Sequence, residues 1–266
     1  SIPMGGSLMA TAGLKFVFKD FNPEMAERIV AMLDEAGILH ERVMIATWSQ
    51  QALAYMKDHH PEIRRVVHTY VRPKEFGYLT NLAKGRTFAN EDQLLEALLE
   101  ARDRLGLYGL NMPSGSVIED GKVYYDTPPG FVRKLQKMGL WVSMWFVNDE
   151  KLGAKWREEG ADAFVTNCKA NTGLMPDCGV CAHQGDSSVF PGNTAAAIGS
   201  AVRKGVEMVE FDVRRCKGGE FVLLHDAALD RQTTGRGRAD DLTLGELRDR
   251  GWLLGVNTNK PNFAVK

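Results

Sequence analysis

Five side chains combine types and spacings that suit work on a phosphate ester. Glu210 and Asp212 flank Phe211 in an apolar run, so the two-residue period of a strand turns both carboxylates to one face. Paired carboxylate oxygens suit a hard divalent cation such as Mg²⁺ or Ca²⁺. His183 and His225 end the runs on either side, and an imidazole titrates close enough to neutral pH to act as general acid or base. Lys19 closes a further run and offers a point charge to a phosphate. The set predicts metal-assisted phosphoryl chemistry with the histidines moving protons. Each piece alone is common on protein surfaces. The expectation comes from their ordered appearance at successive run ends.

Short apolar runs alternating with amphipathic segments must hold these residues. Strands are predicted over 14–19, 43–47, 65–70, 107–111, 140–146, 163–166, 180–183, 208–212 and 221–225. Asn22 and Pro23 form an N-cap and first-turn pair for a helix placing Met25, Ile29, Val30, Met32 and Leu33 on one stripe and stopping at Gly37. Ser49 is positioned to cap the segment carrying Ala52, Leu53 and Met56. Asn90 and Gln93 form a capping box before Leu94, Leu95, Leu98 and Leu99, a core stripe. Asn148 is the predicted cap of a helix ending at Gly160, and further helices are expected over 129–138, 193–204 and 244–250. This alternation implies parallel strands with crossover helices, an α/β fold of the TIM (β/α)8 barrel type. Nine runs are one too many for that barrel. Asp212 and Phe221 stand too close for a helical crossover, so one run is expected outside it.

The chain's 266 residues suit a single (β/α)8 domain, which typically takes ~250. A net charge of −1 leaves no surplus of Lys and Arg for coating nucleic acid. No apolar run is long enough for a membrane span, and the head, residues 1–13, lacks the pattern of a signal peptide. Four cysteines, Cys168, Cys178, Cys181 and Cys216, are too few for a disulfide scaffold and lean towards a cytoplasmic protein.

The runs Ala182-His183-Gln184-Gly185, Pro191-Gly192-Asn193-Thr194, Glu210-Phe211-Asp212, His225-Asp226 and Leu229-Asp230-Arg231 resemble the opening half of a glycerophosphodiester phosphodiesterase. Earlier in the chain, Leu14 to Lys19 resembles the family's strand carrying Glu-x-Lys, Ile45-Ala46-Thr47-Trp48-Ser49 its Ser-Phe strand end, Trp145-Phe146-Val147-Asn148-Asp149 its Trp-Thr-Val-Asn-Asp, and 160–166 its final strand. The resemblance thus covers nearly the whole chain in rotated order. Residues 1–167 are similar to the family's C-terminal half and 179–266 to its N-terminal half, as in a circular permutation joined through 167–180. Exchange of half-barrels between chains, giving a strand-exchanged dimer or another homo-oligomer, is the other way to read that order.

The resemblance implies hydrolysis of a glycerophosphodiester to sn-glycerol 3-phosphate and an alcohol. Glu210 and Asp212 would bind Mg²⁺ or Ca²⁺, His183 and His225 would be acid and base, Lys19 would hold the phosphate and Trp145 would wall the substrate. Three positions depart from the pattern: Gln184 replaces an Arg of the substrate site, Val17 a metal-ligating Glu, and Gly192 the Glu of Pro-Glu-Asn-Thr. Asp20 and Asp186 are the nearby acids available as replacements. The departures support a second reading, a catalytically weakened barrel that binds phosphodiesters or acts as an interaction scaffold. Retention of His183, His225, Glu210 and Asp212 together favours the enzyme.

Other motifs carry less. Gly218-Gly219-Glu220-Phe221 spells a cyclase signature without that fold, and a tight turn accounts for it. Cys178-x-x-Cys181 has no second pair to make a zinc site. His59-His60 is expected to cap or be solvated at a helix end.

Overall fold

Eight of the nine predicted runs pair side by side in the computed structural model, which describes residues 12–74, 77–83, 86–115, 117–119, 122–125, 127–167 and 179–249. They are β1 (Gly13–Phe18), β2 (Val43–Thr47), β3 (Arg64–His68), β4 (Gly109–Pro113), β5 (Trp141–Trp145), β6 (Ala163–Thr166), β7 (Gly179–Ala182) and β8 (Met208–Arg215). All neighbours are parallel, and β8 returns to β1 with Gly13 opposite Met208 and Phe18 opposite Val213, which closes the barrel. Closure comes from strands of the same chain. The ninth run, Phe221–Leu223, lies antiparallel on the end of β8, with Val213 opposite Leu223. A hairpin through Gly218 and Gly219 satisfies the short connection, Cys216 N–H donating to Glu220 O at 2.8 Å.

The helices are α1 (Pro23–Glu35), α2 (Gln50–His59), α3 (Glu91–Leu105), α4 (Phe131–Lys137), α5 (Glu150–Glu158), α6 (Ala195–Arg203) and α7 (Leu244–Asp249). The predicted caps of the first three form: Asn22 Oδ1, Ser49 Oγ and Asn90 Oδ1 accept from Met25, Ala52 and Gln93 N–H at 2.7, 3.2 and 3.0 Å. Two local expectations are corrected. Met32 turns to solvent, off the buried stripe of Met25, Ile29, Val30 and Leu33, because at about 100° per residue it stands roughly 60° from Ile29 on the side away from Val30. The cap of α5 is Asp149, whose carboxylate accepts from Leu152 N–H at 2.8 Å, while Asn148 accepts from Asn167 N–H at 2.9 Å and so ties β5's loop to β6's. Both Asn and Asp are good caps, and sequence alone does not choose between adjacent ones.

Helices and outward strand residues bury two large apolar clusters, with Leu94 and Leu98 of α3 completely enclosed in one of them. Full burial of each such leucine contributes roughly 2 kcal/mol. Inside the barrel, Val17, Met44, Ala46 and Val66 form a small apolar floor beneath the polar mouth. Two excursions escaped the sequence reading because their strands are very short. Arg72–Lys74, Gly77–Leu79 and Thr87–Phe88 form a small sheet after β3, and Val117–Glu119 pairs with Lys122–Tyr125 after β4. Cys168, Cys178, nearly all of the joining segment 167–180, most of the head and the tail 252–266 lie outside the described residues. Among those described, no helix is long and apolar enough to cross a membrane.

Candidate active site

Strand alternation brings Glu210 and Asp212 of β8 into the barrel, as their spacing predicts, and both are buried. Their register partners on β1 are Lys15 and Val17. Lys19, just past β1, places Nζ 3.0 Å from Asp212 Oδ1. Asp212 Oδ2 accepts from Gln184 Nε2 at 3.0 Å and Asn193 Nδ2 at 2.9 Å, and Asn193 Oδ1 accepts from Asp212 N–H at 2.9 Å. Glu210 Oε2 accepts from Gln184 N–H at 2.9 Å. One residue therefore touches both carboxylates, through its backbone and its amide.

The two acids are unequal. Burial, reinforced by the charge of Asp212, pushes Glu210 up to about 8. Burial would raise Asp212 as well, but Lys19, His225 and the Asn193 hydrogen bond hold it below the usual carboxylate range.

His183 follows β7 directly. Its Nδ1 lies 2.5 Å from Asn167 Oδ1, so Nδ1 carries the proton and Nε2 keeps a lone pair, 4.0 Å from Glu210 Oε2. Burial pushes the imidazole down to about 3, which keeps it neutral, and Phe146 packs against it with ring centroids 4.4 Å apart. His225 is more open. Its carbonyl accepts from Arg214 Nε and Nη2 at 3.1 and 2.9 Å, its N–H donates to Gln232 Oε1 at 2.9 Å, and its Nδ1 lies 3.0 Å from Asp226 Oδ1. Trp145 ends β5 with its indole N–H donating to Asn111 O at 3.3 Å and its ring edge against Phe146.

Val17 packs into the apolar floor and supplies no ligand. Neither candidate replacement acid joins the site: Asp20 pairs with Arg214 at 3.0 Å, and Asp186 is held by Lys204, Ser200 and Ser188. At Gly192 a Cβ would stand 2.4 Å from Gln184 Oε1, so the missing side chain there makes room for the Gln184 amide. Gln184 itself sits at φ 57°, a left-handed conformation that non-glycine residues seldom adopt. Lys15, Asn167, Asn193 and Arg214 are the partners the sequence reading missed. Lys15 was discoverable, since it shares Lys19's parity on β1.

Among the described residues no group of three His, Cys, Asp or Glu side chains could hold a metal ion together. Glu210 and Asp212 nevertheless fit Mg²⁺, which needs only one or two protein carboxylates alongside water and substrate phosphate. Their mutual repulsion in a buried site is what a cation would relieve. They suit Ca²⁺ less well, since it takes more oxygen ligands. Cys181 faces the same interior, but burial pushes its thiol up to about 12 and leaves it inert.

Residues 183–264 match the sequence profile of the Glycerophosphoryl diester phosphodiesterase family. A glycerophosphodiester phosphodiesterase of Caldanaerobacter subterraneus is 44% identical over 69 residues, 26% of this chain and 28% of the relative. Glycerophosphodiester phosphodiesterase 1 of Homo sapiens is 41% identical over 86 residues, 32% of this chain and 26% of the relative. The chain therefore matches under a third of these relatives' lengths. A solved Oleispira antarctica phosphodiesterase, in complex with the product sn-glycerol-3-phosphate, is 19% identical with a TM-score of 0.37, over 58% of this chain and 51% of that one.

Proposed function

We propose that this chain, whose residues 183–264 match the sequence profile of the glycerophosphoryl diester phosphodiesterase family, hydrolyses glycerophosphodiesters to sn-glycerol 3-phosphate and an alcohol. One observation carries the reading: the buried pair Glu210 and Asp212 of β8 stands beside Lys19 and His183, which directly follow the carboxyl ends of the adjoining strands β1 and β7. That is the end of a barrel where substrates are turned over.

Lys19, now paired with Asp212, would exchange that partner for a phosphoryl oxygen. Neutral His183, its Nδ1–H fixed by Asn167, would take a proton on Nε2 from the water that attacks phosphorus. His225, anchored through Arg214, would return a proton to the departing alcohol. Trp145 would wall the substrate and keep water from its flank. Gln184 would hold the two carboxylates in place. Glu210 and Asp212 would bind Mg²⁺, which when present neutralises charge on the phosphoryl oxygens.

The same proposal takes the barrel as a circular permutation of the family's, with residues 1–167 corresponding to the second half. Its support is the parallel β8–β1 seam, which joins the Glu210–Asp212 strand to the Lys19 strand.

The test is release of sn-glycerol 3-phosphate from glycerophosphocholine and glycerophosphoethanolamine with Mg²⁺ or Ca²⁺. Metal-dependent turnover that His183→Ala abolishes is expected. Absence of such turnover, or an unaffected His183→Ala variant, would sink the reading.

A further inference from the structure

The half of the barrel mouth facing the carboxylates contains a polar network that this mechanism leaves unused. The charged groups occupy consecutive strands: His183 after β7, Glu210 and Asp212 on β8, Lys19 after β1. β3, β4 and β5 make the opposite arc. There His68, Asn111 and Ser143 are all buried and share the inward parity of Val66 and Trp145.

Ser143 Oγ donates to Asn111 Oδ1 at 2.6 Å, which leaves the Asn111 amide to donate to His68 Nδ1 at 2.9 Å. That chain assigns the His68 proton to Nε2. The Nε2–H is buried and meets no acceptor among the described residues. Buried donors are almost always paired, so an unpaired one beside an active site points to a ligand. Burial, together with the charges of Lys15 and Lys19, holds the imidazole well below its usual range, so it stays neutral. Trp48 stacks across the ring at 5.4 Å and is 45% exposed, so one surface side chain can turn aside to admit a ligand.

We propose that His68 recognises the organic arm of the diester, its Nε2–H donating to a hydroxyl oxygen of the glycerol moiety once Trp48 moves aside. This rests on the hydrolase reading. With the phosphate at Lys19, an arm of the diester that extends across the mouth meets the β3–β5 arc. A neutral donor there suits an alcohol oxygen, whereas a cation would compete for the phosphate itself.

Binding of sn-glycerol 3-phosphate and of inorganic phosphate is measured by calorimetry with Mg²⁺ present, on wild type, His68→Phe and His68→Gln. The Phe variant is expected to weaken sn-glycerol 3-phosphate by about three- to tenfold, the worth of one neutral hydrogen bond, and to leave inorganic phosphate unchanged. The Gln variant, whose amide restores a donor, is expected to recover most of the loss. A Phe variant that weakens neither ligand, or both equally, overturns the inference and leaves the hydrolase reading standing. A wild type that binds neither ligand and hydrolyses no diester overturns both. Should the Phe variant fail to fold, Trp48 emission in the wild type, judged against Trp48→Phe, decides. It is expected to change with sn-glycerol 3-phosphate and not with phosphate; no change in a protein that binds sn-glycerol 3-phosphate overturns the inference.

Discussion

Lys15 and Glu210 face each other across the β1–β8 seam, register partners that are both buried within the barrel. Lys15 Nζ has no hydrogen-bond partner among the described residues, and its charge pulls against the burial that raises Glu210. With Lys19 it is one of two lysines set beside the acidic pair. Lys15→Met removes a charge that opposes a divalent ion at short range. Mg²⁺ binding, followed by calorimetry, should tighten by about tenfold or more. Unchanged affinity would show that Lys15 does not feel the cation.

Stability of the metal-free protein should peak near pH ~6.5. The native protein holds His68 well below its usual range and His183 at about 3, so below ~6.5 the unfolded chain takes up protons that the native state refuses. Stability then falls with falling pH. Glu210 acts in the opposite sense: lifted to about 8, it keeps a proton that the unfolded chain releases above ~4.3. Its contribution is lost as pH rises to about 8, and above ~6.5 it acts without the histidines. Urea denaturation should show a decline of about 1.4 kcal/mol per pH unit in that upper window, flattened in Glu210→Gln. Equal stability at both ends of the window would contradict the assignment.

Gln184 and Gly192 should behave as one unit. A Cβ at residue 192 would stand 2.4 Å from Gln184 Oε1 and displace the amide that donates to Asp212. Gly192→Glu alone is expected to lower kcat/KM, while adding Gln184→Arg should recover part of the loss. The double-mutant cycle should give a coupling of about 1 kcal/mol or more. Strict additivity would separate the two positions.

Asp186 stabilises the turn that presents His183 and Gln184. It accepts from Ser200 and Ser188, pairs with Lys204, and its own N–H donates to Ala197 O at 2.9 Å. Burial works against the carboxylate, but the Lys204 and serine hydrogen bonds hold it below its usual range. Its contribution is present above ~3.9 and is lost as pH falls through the lower native value. Asp186→Asn should cost about 1–3 kcal/mol at neutral pH, and the gap from wild type should close in acid. Denaturation at the two pH values checks both halves of the statement.

Strand count and barrel class were legible from the alternation of apolar runs with amphipathic segments, and the inward pair Glu210 and Asp212 from the two-residue period of a strand. The hairpin at Phe221–Leu223 was half legible: the gap after Asp212 ruled out a crossover but did not say where the run would go. Lys15 followed the same parity as Lys19 and was passed over for want of a motif. Asn167, Arg214 and His68 act through partners distant in sequence, such as His183, Asp20 and Asn111, and no local pattern announces such pairs. Asp20 and Asp186 look available in sequence and prove already engaged, since only three-dimensional packing tells which partner reaches a carboxylate first.

The β8–β1 seam also has a consequence in time. Lys19 directly follows the first barrel strand to be synthesised and Asp212 lies on the last, and the nearby Asp20–Arg214 pair spans 194 positions. A chain growing on the ribosome can build its β1–β6 sheet early, yet the candidate site does not exist until β8 has emerged and closed on β1. Closure of so long a loop should be among the latest folding events, and activity should appear only with it.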